Sequence, residues 1–229
     1  MINSVVFDFD GTLVDSNGIK HRSFFEVARH IAGARPVIAE ALADPGFGDR
    51  YAVFRYLAER LAGQGQTVDS ESLVEHYTRL CEEKIIGAAE IPGATSTLTD
   101  LAGAGIRMAI SSATPQNTLR KIVAGRGWRS YFTAVMGTPD TKEQHLEKVF
   151  GKWNLSPAET LYVGDSEADR SAARNMGCKF VGIGDGTRFR EQPEIRLSSL
   201  VGLPRYVHEL SGRPPGYTEE DGGKPLINP

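Results

Sequence analysis

Cysteine is scarce in this sequence, and several other features are absent. The 229 residues include two cysteines, Cys81 and Cys178, which form no metal or redox motif and provide no disulfide framework. No apolar run approaches the roughly 18 residues that would indicate a transmembrane helix. The first residues show neither the basic nor the apolar region of a signal peptide. We therefore expect a cytoplasmic protein.

Excess charge of either sign is also lacking. The formal net charge is −3, with 26 basic and 29 acidic residues. A balance of this kind gives no reason to expect nucleic acid or an anionic membrane as a partner. The hydrophobic fraction of 40% is ordinary for a globular protein, and the length suits one large domain or a core with a smaller insert.

Strands and helices alternate from residue 92 onward. Short apolar stretches with β-branched residues predict the strands, and the segments between them have helical spacing. The predicted strands are 106–111, 134–136, 160–163 and 179–183, and the predicted helices are 94–102, 116–124, 143–153 and 166–176. This alternation predicts an α/β fold with a Rossmann-like open parallel sheet and helices on both faces.

Residues 16–91 contain no convincing strand. Apolar residues recur there at helical spacing, and the first helix is predicted to end at Gly33. We therefore predict a discontinuous core of residues 1–15 and 92–210 with an all-helical insert at 16–91. Residues 211–229 are predicted to be a Pro/Gly-rich C-terminal tail.

Two acids follow a strand at the start of the chain. Val5, Val6 and Phe7 predict a strand that is buried on both faces. Because side chains two apart on an extended segment point the same way, Asp8 and Asp10 should lie close together. Two such charges ~4 Å apart repel by about 4 kcal/mol at an effective dielectric constant of about 20. The pair therefore needs a cation, a proton or a chemical use.

Other polar groups follow the remaining strands. In open α/β sheets, ligands bind beyond the carboxyl ends of the strands. The polar segments at these ends are Ser111-Ser112-Ala113-Thr114, Gly137-Thr138-Pro139-Asp140-Thr141-Lys142 and Gly164-Asp165-Ser166-Glu167-Ala168-Asp169. The sequence thus predicts that carboxylates, hydroxyls and a lysine converge on one edge of the sheet.

These segments, with Asp8-Phe9-Asp10-Gly11-Thr12-Leu13-Val14-Asp15-Ser16, resemble the four motifs of the haloacid dehalogenase-like (HAD) superfamily. The helical insert is similar to the C1-type cap of phosphoglycolate phosphatase and β-phosphoglucomutase relatives. The resemblance implies that Asp8 is the nucleophile and Asp10 the general acid/base. It also implies that Asp165 and Asp169 bind Mg²⁺, together with Asp8 and with Asp10 through its backbone carbonyl.

Two of the implied roles have competitors. Ser112 is assigned the second-motif hydroxyl because Ala113 and Thr114 fit the residues that follow it in the family, and Ser111 is the alternative. Lys142 is assigned as the third-motif lysine because it precedes the helix at 143–153, whereas Lys148 lies inside that helix. The proline that usually follows the family lysine is absent.

The resemblance implies a Mg²⁺-dependent phosphatase that hydrolyses a small phosphorylated metabolite through an aspartyl-phosphate. An Asp at position 10 favours phosphoryl transfer, because the haloacid dehalogenases typically carry a tyrosine there. A phosphomutase of the β-phosphoglucomutase type is the alternative, and a non-catalytic phosphoacceptor module is a more remote one. We expect a monomer or a homodimer.

The insert offers one candidate for substrate recognition. Arg50 follows Gly46-Phe47-Gly48-Asp49, at the position of the family's cap specificity loop, and would contact an anionic or hydroxylated substrate. His145 is interpreted as an exposed helix residue. Gly184-Asp185-Gly186-Thr187 is interpreted as a turn after the last core strand.

Overall fold

The computed structural model describes residues 1–44 and 47–212. The chain divides into two compact units, one made of Met1–Asp15 and the residues from Ala89 on, the other of Ser16–Ala88. Within the described ranges, no helix combines the length and the apolar character needed to cross a lipid bilayer.

The first unit is built on a parallel sheet of six strands. Along the chain they are β1 (Ser4–Phe7), β2 (Arg107–Pro115), β3 (Ala134–Thr138), β4 (Thr160–Gly164), β5 (Lys179–Ile183) and β6 (Arg196–Leu197). Their spatial order is β3-β2-β1-β4-β5-β6, and every pairing is parallel. The predicted Rossmann-like α/β sheet is confirmed, and the two-residue β6 is too short for periodicity to reveal.

Helices cover this sheet. They are α5 (Ala94–Gly103), α6 (Gln116–Gly125), α7 (Lys142–Trp153), α8 (Glu167–Asn175) and α9 (Leu203–Ser211). On one face, Val6 of β1 belongs to a buried cluster with Leu146 and Val149 of α7 and Ala173 of α8. Phe7 points to the opposite face, where its ring lies 6.5 Å from that of Phe132. Because both faces are covered, β1 is buried along its whole length.

The second unit consists of helices in the residues that are described. They are α1 (Asn17–Val27), α2 (Ala34–Ala43), α3 (Arg50–Ala62) and α4 (Ser70–Ile86). It has its own aromatic core, in which Phe24, Phe54 and Tyr77 pack with centroid separations of 4.3–5.8 Å. Burial of these rings on three different helices gives the unit an apolar centre independent of the sheet.

The predicted helix ending at Gly33 is wrong in its extent. The structure has α1 ending at Val27, and a second helix begins at Ala34. Gly33 precedes this second helix in the left-handed conformation, with φ 77°. The prediction extended the first helix too far, because Ala28 and Ile31 keep the helical spacing although they lie in the segment between α1 and α2. Gly46 of the predicted specificity loop, and the predicted tail beyond Gly212, lie outside the described residues.

Candidate active site

The carboxyl end of the sheet carries the acids of two motifs, the first and the fourth. β1 lies between β2 and β4, so the residues after these strands are neighbours. The Asp8 N–H donates to Val163 O of β4 at 2.8 Å, which places Asp8 beside Asp165. Asp8, Asp165 and Asp169 each offer one carboxylate oxygen, and these oxygens all lie within 4.8 Å of one another.

A tight turn follows the first of these acids. Gly11 has φ 81°, a conformation that favours glycine, and its N–H donates to Val14 O at 2.7 Å. This turn holds Asp10 above the end of the sheet, where it is 9% exposed. Its carboxylate Oδ2 accepts hydrogen bonds from Thr114 Oγ1 at 2.9 Å and from Ser112 Oγ at 3.4 Å. The two predicted acids of the first motif therefore lie in different surroundings.

The second-motif segment lies at the end of β2, where the pairing with β3 shifts register between Ser111 and Pro115. Ser112 Oγ lies near Asp10 and accepts the Thr114 N–H at 3.0 Å. Ser111 Oγ is instead hydrogen-bonded to His145 Nδ1 at 2.9 Å. Of the two adjacent hydroxyls, that of Ser112 is the one beside the acids.

Lys142 is brought to the same place from the far end of β3. Its Nζ donates to Asp8 Oδ1 at 2.9 Å and also to Asp169 Oδ1. The competitor Lys148 pairs with Asp140 in a half-exposed position. Lys142 is the first residue of α7 rather than a loop residue as predicted, because Thr141 caps the helix one residue earlier by accepting the Gln144 N–H.

Asp169 stabilises the start of α8 in addition to belonging to the carboxylate cluster. Its Oδ2 accepts the Ser166 N–H at 3.1 Å and so completes the capping box of α8. Gly164 leaves the space for it, since a Cβ at this position would lie 2.4 Å from Asp169 Cβ. The Gly-Asp-x-x-x-Asp spacing is therefore required both by the helix start and by the close packing of α8 on β4.

Burial and crowding alter the ionisation of the central acid. Burial, reinforced by Asp169, raises the pKa of Asp8 to about 8, although Lys142 acts in the opposite direction. Burial alone would lower the pKa of Lys142, but Asp8 and Asp169 outweigh it and hold that pKa well above its usual value. A further cation near the carboxylates would restore Asp8 to its ionised form.

These residues fit a hard divalent cation. Three nearly buried carboxylates converge, with exposures of 5% for Asp8, 7% for Asp165 and none for Asp169. Mg²⁺ prefers oxygen ligands and is commonly held by a few carboxylates with waters completing its shell. Burial first, and the neighbouring acids second, raise the pKa of Asp8, and such an ion would offset both by favouring the ionised carboxylate.

His145 was predicted to be exposed, and that prediction is wrong. Its side chain is fully buried, and its Nε2 lies 3.2 Å from Gly137 O, which can only accept a hydrogen bond. Nε2 therefore carries the proton, and Nδ1 accepts from Ser111. Burial lowers the pKa of His145, which keeps the ring neutral. This imidazole joins α7, which begins with Lys142, to β2.

Sequence reasoning missed two further residues of the site. Thr114 was quoted only as context for Ser112, yet its hydroxyl makes the shorter bond to Asp10. Arg188 follows the segment 184–187, which is a turn as predicted, and its guanidinium pairs with Asp165. The position of Arg188 after β5, at the same edge of the sheet, is the feature from which its place in the site could have been predicted.

Arg50 lies in the other unit, as the first residue of α3. It is 9% exposed, its guanidinium lies 5.1 Å from the centre of the Tyr77 ring, and its Nη1 donates to Thr78 Oγ1 at 3.1 Å. Asp49, immediately before it, caps α3 by accepting the Tyr51 and Ala52 N–H groups. Arg50 is therefore a firmly held cation within the helical unit.

Comparison with known proteins agrees with this geometry. The family described as "Haloacid dehalogenase-like hydrolase" matches residues 5–183. A phosphoglycolate phosphatase from Yersinia pseudotuberculosis is 30% identical over 83% of this chain and 84% of its own length. Another from Pectobacterium atrosepticum is 29% identical over 99% of this chain and 97% of its own length.

A solved structure shares the fold. The HAD-hydrolase YfnB from Bacillus subtilis, crystallised with magnesium, superposes with a TM-score of 0.70 at 18% identity, covering 90% of this chain and 99% of that one. The family match spans all four of the segments that carry the acids, hydroxyls and lysine of the site. The chain belongs to the haloacid dehalogenase-like hydrolases and is similar within them to phosphoglycolate phosphatases.

Proposed function

We propose that this chain is a Mg²⁺-dependent phosphatase that hydrolyses a small phosphorylated metabolite through an aspartyl-phosphate on Asp8. The chain is a phosphatase of the HAD family, and its relatives named phosphoglycolate phosphatase support a small phosphorylated substrate. The metal, the covalent intermediate and the residue roles are the parts that we propose.

One observation carries the proposal. Asp8, a nearly buried carboxylate, lies within 4.8 Å of two further acids and 2.9 Å from the ammonium group of Lys142. Phosphate monoesters are anions, so a carboxylate can attack them only where positive charge offsets the repulsion. A site that concentrates carboxylates in this way would repel a phosphate anion unless a bound cation offset their negative charge.

Each side chain has a role in this scheme. Asp8, Asp165 and Asp169, with the backbone carbonyl of Asp10, would hold Mg²⁺, which would supply charge neutralisation and polarise a phosphoryl oxygen. Asp8 attacks phosphorus, and its carboxylate oxygen forms the new bond as the ester oxygen leaves. Lys142 and Ser112 donate hydrogen bonds to the phosphoryl oxygens.

Asp10 is the general acid and the general base of this scheme. In the first step it protonates the leaving alkoxide, and in the second it takes a proton from the water that attacks the aspartyl-phosphate. Thr114 and Ser112 donate to its Oδ2 and so fix the orientation of the carboxyl group that exchanges the proton. The Asp10 carboxyl group is thus held by neutral hydroxyls, whereas Asp8 is paired with the ammonium group of Lys142.

Asp10→Asn should discriminate between leaving groups. We expect kcat/KM for an alkyl phosphate to fall by about 10²–10⁴, because the alkoxide then leaves unprotonated. For p-nitrophenyl phosphate, whose leaving group needs no proton, the loss in kcat/KM should be at least about tenfold smaller. The two substrates serve as controls for each other, and equal losses would contradict the acid role of Asp10.

We also propose that the helical unit is the cap that selects the substrate, with Arg50 contacting an anionic or hydroxylated leaving group. A guanidinium is suited to a carboxylate, since it can donate two parallel hydrogen bonds. The phosphoglycolate named in the relatives carries such a group, so it is the first substrate to test.

The direct test is a phosphate-release screen of the purified chain. We expect release from 2-phosphoglycolate or another small phosphomonoester with Mg²⁺, and loss of release when EDTA removes the ion and Asp8 returns toward its protonated form. Release unaffected by EDTA would refute the metal requirement. Isomerisation of a sugar 1-phosphate without phosphate release would show a mutase instead.

A further inference from the structure

The loop after β5 is fixed against the start of α8. The Glu167 N–H donates to Arg188 O at 3.1 Å, and the Arg190 N–H donates to Glu167 Oε2 at 3.2 Å. Between the two arginines, Phe189 is buried and its ring lies 5.9 Å from that of Phe180. These contacts fix the backbone from which the Arg188 side chain extends.

The Arg188 side chain joins this loop to the acidic cluster. Its Nη1 donates to Asp165 Oδ2. The Arg188 side chain is 50% exposed, whereas that of Asp165 is 7% exposed. A guanidinium has five N–H donors, and half of this side chain faces solvent, so donors remain for an incoming anion.

The Arg188 side chain changes the net charge of the site. Asp8, Asp10, Asp165 and Asp169 contribute four negative charges when ionised, and Lys142 and Arg188 contribute two positive ones. A single divalent ion therefore brings these six side chains to neutrality. Without Arg188, the same site with its ion would carry one positive charge fewer and would attract a phosphate dianion less strongly.

We infer that Arg188 is a positioning residue that holds Asp165 and sets the charge of the site, favouring phosphate and opposing the divalent ion. The inference rests on the proposed function, because it assumes that an ion and a phosphoryl group meet at these acids. It predicts effects of opposite sign, since a positive charge attracts an anion and repels a cation. A residue that merely supported the fold would affect both ligands in the same direction.

Isothermal titration calorimetry of Mg²⁺ and of inorganic phosphate binding to Arg188→Gln tests the predicted opposite effects. We expect Mg²⁺ to bind the EDTA-stripped variant about three- to tenfold more tightly than the native chain at low ionic strength. Inorganic phosphate, titrated with Mg²⁺ saturating, should bind about three- to tenfold more weakly. Both constants are measured without turnover, so they remain informative if the chain fails to release phosphate from any ester.

Two control variants complete the calorimetry experiment. Arg188→Lys keeps the charge and should return both constants to within about threefold of the native values. Arg190→Gln removes an exposed charge from the same loop and should leave both constants within about twofold. Shifts of the same sign in Arg188→Gln, a shift in one constant alone, or no shift would overturn the inference.

Discussion

Replacing Asp8 with asparagine is expected to lower kcat for phosphate release by at least about three orders of magnitude while the chain stays folded. The amide keeps the shape of the carboxylate but cannot attack phosphorus, so no aspartyl-phosphate forms. Burial already raises the pKa of Asp8 to about 8, so the neutral side chain is favoured in the metal-free chain and a neutral amide should be tolerated there. Steady-state phosphate release and a urea denaturation curve measure the two effects.

Asp100→Asn is the matched control for this variant. Asp100 lies on the exposed side of α5, and the same chemical change there should leave both kcat and the free energy of unfolding nearly unchanged. If Asp8→Asn still hydrolyses p-nitrophenyl phosphate at the native rate, Asp8 is not the nucleophile. If it unfolds in the absence of urea, the Asp8 carboxylate is required for the fold.

Lys142→Gln is expected to reduce both activity and stability. The variant loses a cation that donates to Asp8 and Asp169, and the phosphoryl group loses one of its proposed donors, so kcat should fall about 10²–10³-fold. Breaking a buried ion pair costs about 3–5 kcal/mol where the remaining charge cannot relax. Because Asp8 can take up a proton, we expect the lower part of that range in the metal-free protein.

Adding Mg²⁺ should recover part of this lost stability, because the ion replaces the missing positive charge. Lys148→Gln is the control, since Lys148 pairs with Asp140 in a half-exposed position and its loss should cost less than about 0.5 kcal/mol. A Lys148→Gln variant that loses activity while Lys142→Gln retains it would reverse the assignment of the two lysines.

The sheet was predictable because its strands are buried on both faces. Such strands appear as short apolar runs, and the helices between them have a different period, so their alternation was visible along the chain. The end of α1 was not, because Ala28 and Ile31 continue its apolar spacing into the segment that connects it to α2. The short β6 has no periodicity to detect.

The acids of the candidate site were predictable for a related reason. In a parallel sheet, every residue that follows a strand reaches the same edge, so Asp8 and Asp165 could be placed together without knowing any distance. The residues that support the site were harder to foresee. Thr114, His145 and Arg188 act through contacts that depend on a register shift, on a helix packed against β2, and on a loop fixed by the buried Phe189.

His145 illustrates the difficulty. Its position on α7 looked polar and therefore exposed, yet the ring is buried with both nitrogens paired, to Ser111 and to Gly137 O. A neutral imidazole with two partners can be buried at little cost, and sequence alone does not reveal whether those partners exist. Prediction fails at such residues because the compensating groups come from distant segments.

The two adjacent hydroxyls of β2 have a consequence for the length of this strand. Ser111 faces His145 and Ser112 faces Asp10, because neighbouring side chains on a strand point to opposite sides. A deletion of one residue earlier in β2 would turn Ser112 toward His145 and bring Ala113 to the position facing Asp10, so that no hydroxyl would remain there. The number of residues that precede Ser111 in the strand therefore decides which side chain is presented to Asp10.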